Sequence, residues 1–71
     1  MIAAPVGTVV QFAEIQGADW WAAIVIESGL GTRRRMSVCD SSGAWTVQSG
    51  VQHEDDAGAH EARWRLIPGG A

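Results

Sequence analysis

Eight consecutive residues, Trp20 to Glu27 (WWAAIVIE), constrain the fold of this chain more than any other segment. The run begins with two tryptophans and reaches three β-branched residues, Ile24-Val25-Ile26, before the glutamate. Such side chains fit a pleated strand and lose rotamer freedom in a helix. Both alternating faces are apolar, which is typical of a strand covered on both sides. The run therefore predicts a central strand that has one face on the core and the other against a neighbouring subunit or the chain's own tail.

Glycine-containing turns divide the rest of the chain into further short apolar segments. This spacing is typical of a small barrel or sandwich. We therefore expect an all-β fold, a small five-stranded barrel, with a polar exposed loop over 52–61. The predicted strands are 7–13, 20–27, 33–40, 44–49 and 63–67. The predicted core side chains are Val10, Phe12, Trp21, Trp45 and Val47. In the third strand, Met36 and Val38 are expected on one face, with Arg35, Ser37 and Cys39 on the other.

The length of 71 residues corresponds to a single domain, residues 1–71. A domain this small buries only about 60% of its unfolded surface, so its stability is marginal without reinforcement. The one cysteine, Cys39, excludes an intrachain disulfide and suits a reducing compartment. We expect it to be a buried, inert strand residue. The apolar content of 46% favours self-association as the reinforcement, through Trp20, Ile24 or Ile26.

The charge balance and the absence of long apolar runs exclude several classes of partner. Eight acids against five arginines, with no lysine, give a net charge of −3. Duplex nucleic acid needs a basic face, so it is not an expected partner. No apolar stretch reaches the roughly 18 residues of a membrane span. The start of the chain, residues 1–5, lacks the features of a signal peptide, so a cytoplasmic location is expected.

Three consecutive arginines, Arg33-Arg34-Arg35, are the sharpest polar feature. Because strand residues alternate faces, Arg33 and Arg35 are expected on one side and Arg34 on the other. Guanidinium groups recognise phosphate and other anions with paired donors. The cluster therefore predicts an anion site, and the alternative is a solvated strand end whose arginines pair with Glu27 or Asp40.

Four tryptophans are many for this length. Trp21 and Trp45 are expected in the core, whereas Trp20 and Trp64 suit a groove or a subunit interface, where tryptophan and arginine are enriched. Trp64 lies between two arginines, a triplet that could form one aromatic and cationic patch. The predicted ligand-binding residues are Arg33, Arg35, Trp20, Trp64, Arg63 and Arg65.

Metal binding and catalysis receive little support from the sequence. The histidines and carboxylates between His53 and Glu61 match no standard zinc or calcium spacing, so no metal or other cofactor is expected. Ser41 or Ser42 with a histidine and Asp55 could nominally form a triad, but any small protein contains such sets. We expect a protein that is not an enzyme.

Several short segments resemble a family of small uncharacterised proteins of actinobacteria and their phages. The segments are Gly7–Phe12, Trp21–Val25, the turn Ser41–Gly43, and a polar loop leading to Trp64 and Pro68. Family motifs at these places are G-x-x-V-x-x, A-A-I-V and a closing T-W-H-W-P, from which the closing ARWRLIP of this chain departs. The resemblance covers about residues 7–68 and implies a Tudor-like or Src-homology-type barrel. The family has no established chemistry, so no functional residue is carried over.

Two functional hypotheses follow. The first is a non-catalytic binding module, phage-encoded as the resemblance implies, that captures a small anionic, nucleotide-like ligand as a homo-oligomer. Such a protein would act in the host cytoplasm as an anti-defence sponge for a signalling nucleotide. The second is a structural or adaptor protein, such as a virion accessory, whose apolar strand faces dock on another protein. The two differ in whether the arginines face a concave site lined by tryptophan or point to solvent.

Overall fold

A computed structural model describes residues 3–69 and shows five strands and no helix in that range. The strands are β1 (Val9–Ala13), β2 (Trp21–Ser28), β3 (Arg34–Cys39), β4 (Trp45–His53) and β5 (Arg63–Leu66). They form a closed five-stranded barrel, which confirms the predicted fold class. No helix within the described residues is long and apolar enough to cross a membrane.

Antiparallel pairing joins β1 to β2, β2 to β3 and β3 to β4, and β5 returns to pair antiparallel with β1. The remaining pairing, between β4 and β5, differs from the other four. β4 and β5 run parallel and pair only at Gln52 with Arg63 and at His53 with Trp64. Consequently, the segment from Trp45 to Gly50 is paired on one side only among residues 3–69.

The core lies inside the barrel and takes apolar side chains from all five strands. The fully buried large residues are Trp64, Phe12, Met36, Val10, Val25, Val38 and Val51. Burial of Val10 and Phe12 confirms the core prediction for β1. Met36 and Val38 share one face of β3 as predicted, and the structure shows that this is the inner face. Trp21 is partly buried and packs against this cluster.

The core prediction for β4 is wrong at Trp45 and Val47, which are 53% and 60% exposed. The register gives the reason. Val47 lies opposite Ser37, and Ser37 neighbours two inward residues, Met36 and Val38, so it faces outward. Since alternate residues of a strand face opposite sides, Val47 and Trp45 lie on the outer face.

The predicted end of the fourth strand and start of the following loop are also corrected. β4 continues to His53, four residues beyond the predicted end at residue 49. His53 is buried and its ring meets the Trp64 indole edge-on, with centroids 4.9 Å apart. The polar loop therefore begins only after the histidine.

The outer face of β2 is not covered by this chain. Ala22 and Ile26 are exposed and Ile24 is half-buried, so the expectation that both faces are covered is not met within one copy. Ile24 lies between Val9 of β1 and Ser37 of β3, and Ser37 lies beside Val47. A row of outward side chains thus crosses four strands and is apolar at three of its four positions.

Candidate functional site

Two β-bulges flank the arginine cluster, one on each neighbouring strand. Between β2 and β3 the register shifts from Val25 opposite Met36 to Glu27 opposite Arg35, which leaves Ile26 as the extra residue. Between β3 and β4 it shifts between Arg34 and Met36, where Arg35 faces the Ser49–Gly50 segment. Gly50 has φ +66°, the left-handed conformation of a glycine bulge. Bulges interrupt the ladder and redirect side chains, and here both act around Arg35.

A shallow groove of about 160 Å³ lies at this double bulge. Its lining comes from both bulged strands, from β3 and from the turn between β2 and β3. The lining residues are Glu27, Ser28, Gly29, Arg33, Arg34, Arg35, Ser49 and Gly50. We call this feature the arginine groove, and its lining residues include three arginines, two serines and one glutamate.

Arg33 and Arg35 are exposed whereas Arg34 is buried, which confirms the predicted alternation of faces. Arg35 pairs with Glu27 at 3.2 Å and donates from Nε to the Ser49 hydroxyl at 3.1 Å. The ion pair with Glu27 is the one that the solvated-strand alternative predicted. Arg33 differs, because its guanidinium makes no ion pair or hydrogen bond with another of residues 3–69. Among the described residues its charge therefore has no counter-ion, and its Nη1 lies beside Gly50.

Arg34 has a structural role. Its Nε donates to the carbonyl of Ala4 at 2.9 Å, and its Nη1 donates to those of Gly31 and Arg33 at 2.9 and 2.8 Å. The guanidinium carbon also lies 5.8 Å from the centre of the Trp64 ring. This side chain ties the N-terminal segment and the turn before β3 to the core, and only part of it borders the groove.

The predicted patch around Trp64 does not form. Trp64 has no exposed surface and donates from Nε1 to the Thr32 carbonyl at 2.8 Å, so the expectation of an exposed Trp64 is wrong. It pairs with Phe12 of β1 on the inner face. Arg63 is buried as well. Its Nη2 donates hydrogen bonds to the carbonyls of Gly58 and Glu61 at 2.5 and 3.0 Å, so this guanidinium is engaged within the fold. Its buried Nε has no partner within the described residues.

Trp20 and Arg65 form a separate pair on the outside of the barrel. The guanidinium carbon of Arg65 lies 4.0 Å from the centre of the Trp20 ring, and its Nε donates to Gln11 at 2.8 Å. Neither residue lines the arginine groove. The structure therefore brings Arg33 and Arg35 together, but it does not place a predicted tryptophan beside them.

Residues that the sequence analysis considered for metal binding or catalysis, and did not favour, are engaged in local contacts. Within residues 3–69, no three His, Cys, Asp or Glu side chains cluster so as to hold a metal ion. The Ser42 hydroxyl donates to Asp40 at 2.6 Å, and His53 Nδ1 accepts the backbone N–H of Asp55 at 3.1 Å. Cys39 is half-buried on the outer face, which corrects the expected full burial.

Sequence reasoning missed Ser28, Ser49 and Gly50 as groove residues. The two serines appear as ordinary turn and strand residues, and only the bulges bring them to the arginines. Gly50 offered the one usable signal, since a glycine inside a strand pattern is typical of a bulge.

Comparison with known proteins yields no match to a protein-family model, to a curated protein or to a solved structure.

Proposed function

We propose that this chain is a non-catalytic binding module that captures a small anionic ligand in the arginine groove. The observation that carries the proposal is the exposed Arg33, whose guanidinium has no partner among residues 3–69 and lies beside a bulge. A guanidinium with free N–H groups recognises phosphate or carboxylate oxygens through paired hydrogen bonds. Arg35 and the Ser49 hydroxyl, already held in place by each other, supply further donors at the same groove.

The size of the groove limits which part of a ligand it holds. Its volume of about 160 Å³ is well below the roughly 300 Å³ at which pockets for drug-sized molecules begin. A phosphate-sized anionic group fits, and a nucleotide would leave its base outside. Because no tryptophan lines the groove, the base would gain no stacking there. This argues for recognition through the anionic group, and an anti-defence sponge for a phage is one role that such binding would serve.

A calorimetric titration tests the proposal with inorganic phosphate, pyrophosphate and a panel of linear and cyclic nucleotides as probes. Charged hydrogen bonds contribute about 1.5–3 kcal/mol each, and about 1.4 kcal/mol corresponds to tenfold in affinity. We therefore expect Arg33→Ala to weaken binding at least about tenfold. The matched control is Arg65→Ala, which removes the same charge away from the groove and should leave the affinity unchanged.

Two results would count against an anion-binding module. One is a wild type that binds none of the probes. The other is equal weakening by Arg33→Ala and Arg65→Ala, which would indicate non-specific attraction to positive charge rather than a groove.

The second candidate is a structural or adaptor protein without a small-molecule ligand. The exposed apolar side chains of Trp45 and Val47 favour it, since exposed apolar patches mark interaction surfaces. A wild type that binds no anion would leave this candidate as the better explanation of the chain.

A further inference from the structure

The β4 edge, residues Trp45 to Gly50, carries backbone groups that need a partner. β3 occupies one side of this segment, and β5 reaches β4 only at Gln52 and His53. Along the other side of the segment, no strand of the described chain supplies hydrogen bonds. An open edge of this kind is a template for another strand, because its free N–H and C=O groups are already extended.

The β4 edge also lacks the devices that proteins use to prevent such pairing. Its sequence, WTVQSG, contains no charged residue and no proline. Natural edges are normally protected by charges, prolines, bulges or covering loops. Here the one bulge, at Ser49 and Gly50, only ends the open segment and leaves the four residues before it, Trp45 to Gln48, in regular register with β3.

We propose that the β4 edge is the contact with a second copy of this chain, paired antiparallel about a twofold axis at Val47. This register places Val47 opposite the partner's Val47, with Trp45 of each copy opposite Ser49 of the other. Such an isologous contact closes on itself, so the paired β4 edges are not left open for further growth. The proposal goes beyond anion binding and does not depend on it.

The outward side chains explain why the two copies would prefer to stay together. Trp45 and Val47 share the outer face and are both about half exposed or more. In antiparallel strands, side chains directly or diagonally opposite on one face lie within contact distance. The dimer would join two tryptophans and two valines into one continuous apolar cluster, which covers the exposed side chains that the single barrel leaves in water.

The charges at the two ends of the edge select the antiparallel direction. Asp40 lies at the Trp45 end, where its backbone N–H donates to the Ala44 carbonyl at 2.9 Å. Arg33, whose guanidinium has no partner among residues 3–69, lies at the other end beside Gly50, whereas the charge of Arg35 there is already paired with Glu27. Antiparallel pairing sets the basic end of each copy against the acidic end of its partner, whereas parallel pairing would set like charges together. Opposite charges across an interface fix the orientation of the partners.

Light scattering after size-exclusion chromatography tests the contact. The wild type should have twice the chain mass of 7.5 kDa at micromolar concentration. Val47→Lys places two charges against each other at the axis and should run as a monomer. Because Val47 is exposed, this change leaves the core intact, and circular dichroism should show an unaltered β spectrum.

Val9→Lys is the matched control. Val9 is also an exposed outward valine, at 49%, and lies in the same row across the sheet but three strands away from the β4 edge. It should remain dimeric. Loss of the dimer in both variants would place the contact on the sheet face instead of the edge, and a monomeric wild type or a dimeric Val47→Lys would overturn the proposal outright.

A cross-linking experiment fixes the register independently. Directly opposed residues of antiparallel strands have Cα atoms about 4.5–5.5 Å apart, within the range that a disulfide spans. In a Cys39→Ser background, Val47→Cys should therefore form a disulfide-linked dimer under mild oxidation, and Val9→Cys should not. Absence of the Val47→Cys link, or equal linking at both positions, would contradict pairing at Val47.

Discussion

Trp64 and Trp45 lie at opposite extremes of exposure in the same barrel, the first with none of its surface in contact with water and the second with about half. Around Trp64 three neighbours make specific contacts: the Thr32 carbonyl, the His53 ring and the Arg34 guanidinium. Around Trp45 the strand has a partner on one side only. The comparison teaches that β4 can take part in a closed, buried contact at His53 and still leave the segment around Trp45 paired on one side only.

The largest effect should come from removing the buried tryptophan. Trp64→Ala leaves a cavity and an unpaired Thr32 carbonyl, and truncating a buried aromatic costs about 3–5 kcal/mol. For a domain this small we expect substantial or complete unfolding. Trp45→Ala, measured in the Val47→Lys background so that pairing of copies does not contribute, should change the free energy of unfolding by only about 0.5 kcal/mol.

Chemical denaturation followed by circular dichroism measures this contrast, and Trp64→Phe sharpens it. The phenyl ring keeps most of the bulk but loses the hydrogen bond to Thr32, so its stability should lie between wild type and Trp64→Ala. Equal losses for Trp64→Ala and Trp45→Ala would show that the two regions do not differ as the exposures indicate.

An intermediate effect should separate two neighbouring arginines. Arg34→Met removes the guanidinium that donates hydrogen bonds to three carbonyls. Each bond is worth about 1 kcal/mol, so the free energy of unfolding should fall by roughly 2–3 kcal/mol. Arg35→Met removes only an exposed pair with Glu27, where about 0–1 kcal/mol is expected. Thermal unfolding of both variants checks the difference, and Arg34→Lys should not restore stability because it lacks the planar fork. A similar loss for both methionine variants would contradict a structural role for Arg34.

The smallest effect concerns the turn at the Trp45 end of the β4 edge. The Ser42 hydroxyl, together with the backbone N–H groups of Ser42 and Ala44, lowers the pKa of Asp40 below its ordinary value of 3.8. Because the folded-state pKa is lowered, the carboxylate stabilises the fold above about pH 3.8, and this contribution is lost as the pH falls through the folded-state pKa. Asp40→Asn should therefore be slightly less stable than wild type near neutral pH, and the difference should vanish in acid.

Denaturant unfolding of wild type and Asp40→Asn between about pH 6 and about pH 2 measures the effect. Because Asp40 belongs to an exposed turn, the difference should be far smaller than that of either buried variant. A difference that grows towards acid would reverse the expected sign and exclude these hydrogen bonds as its cause.

The sequence predicts the strands well because strand periodicity and glycine turns are local signals. All five predicted segments correspond to strands, and the alternation of Arg33, Arg34 and Arg35 is correct. The pairing of Arg35 with Glu27, one of the two readings of the cluster, is also present. These features depend on neighbours within one strand or one hairpin.

The errors arise where the outcome depends on distant segments. Alternation in β4 separates Trp45 and Val47 from Thr46 and Gln48, but it cannot say which set faces inward, and the apolar set faces outward. Trp64 is buried because the first strand and the end of the fourth meet it. The groove depends on two bulges that come from the pairing of three strands, which no local pattern specifies.

The pairing of β1 with β5 also affects how fast the chain can fold. Gln11 and Arg65 are 54 positions apart in sequence, so the contact that closes the barrel is among the least local in the molecule. Closing a loop of that length costs about 3–4 kcal/mol of chain entropy before the contacts at the seam compensate for it. Barrels rich in such non-local pairs fold in milliseconds to seconds, far more slowly than helical bundles. Any conformation in which β5 is undocked exposes Trp64, the largest side chain of the core, together with the open edges of β1 and β4, so opening at this contact is the route by which the barrel becomes prone to aggregation.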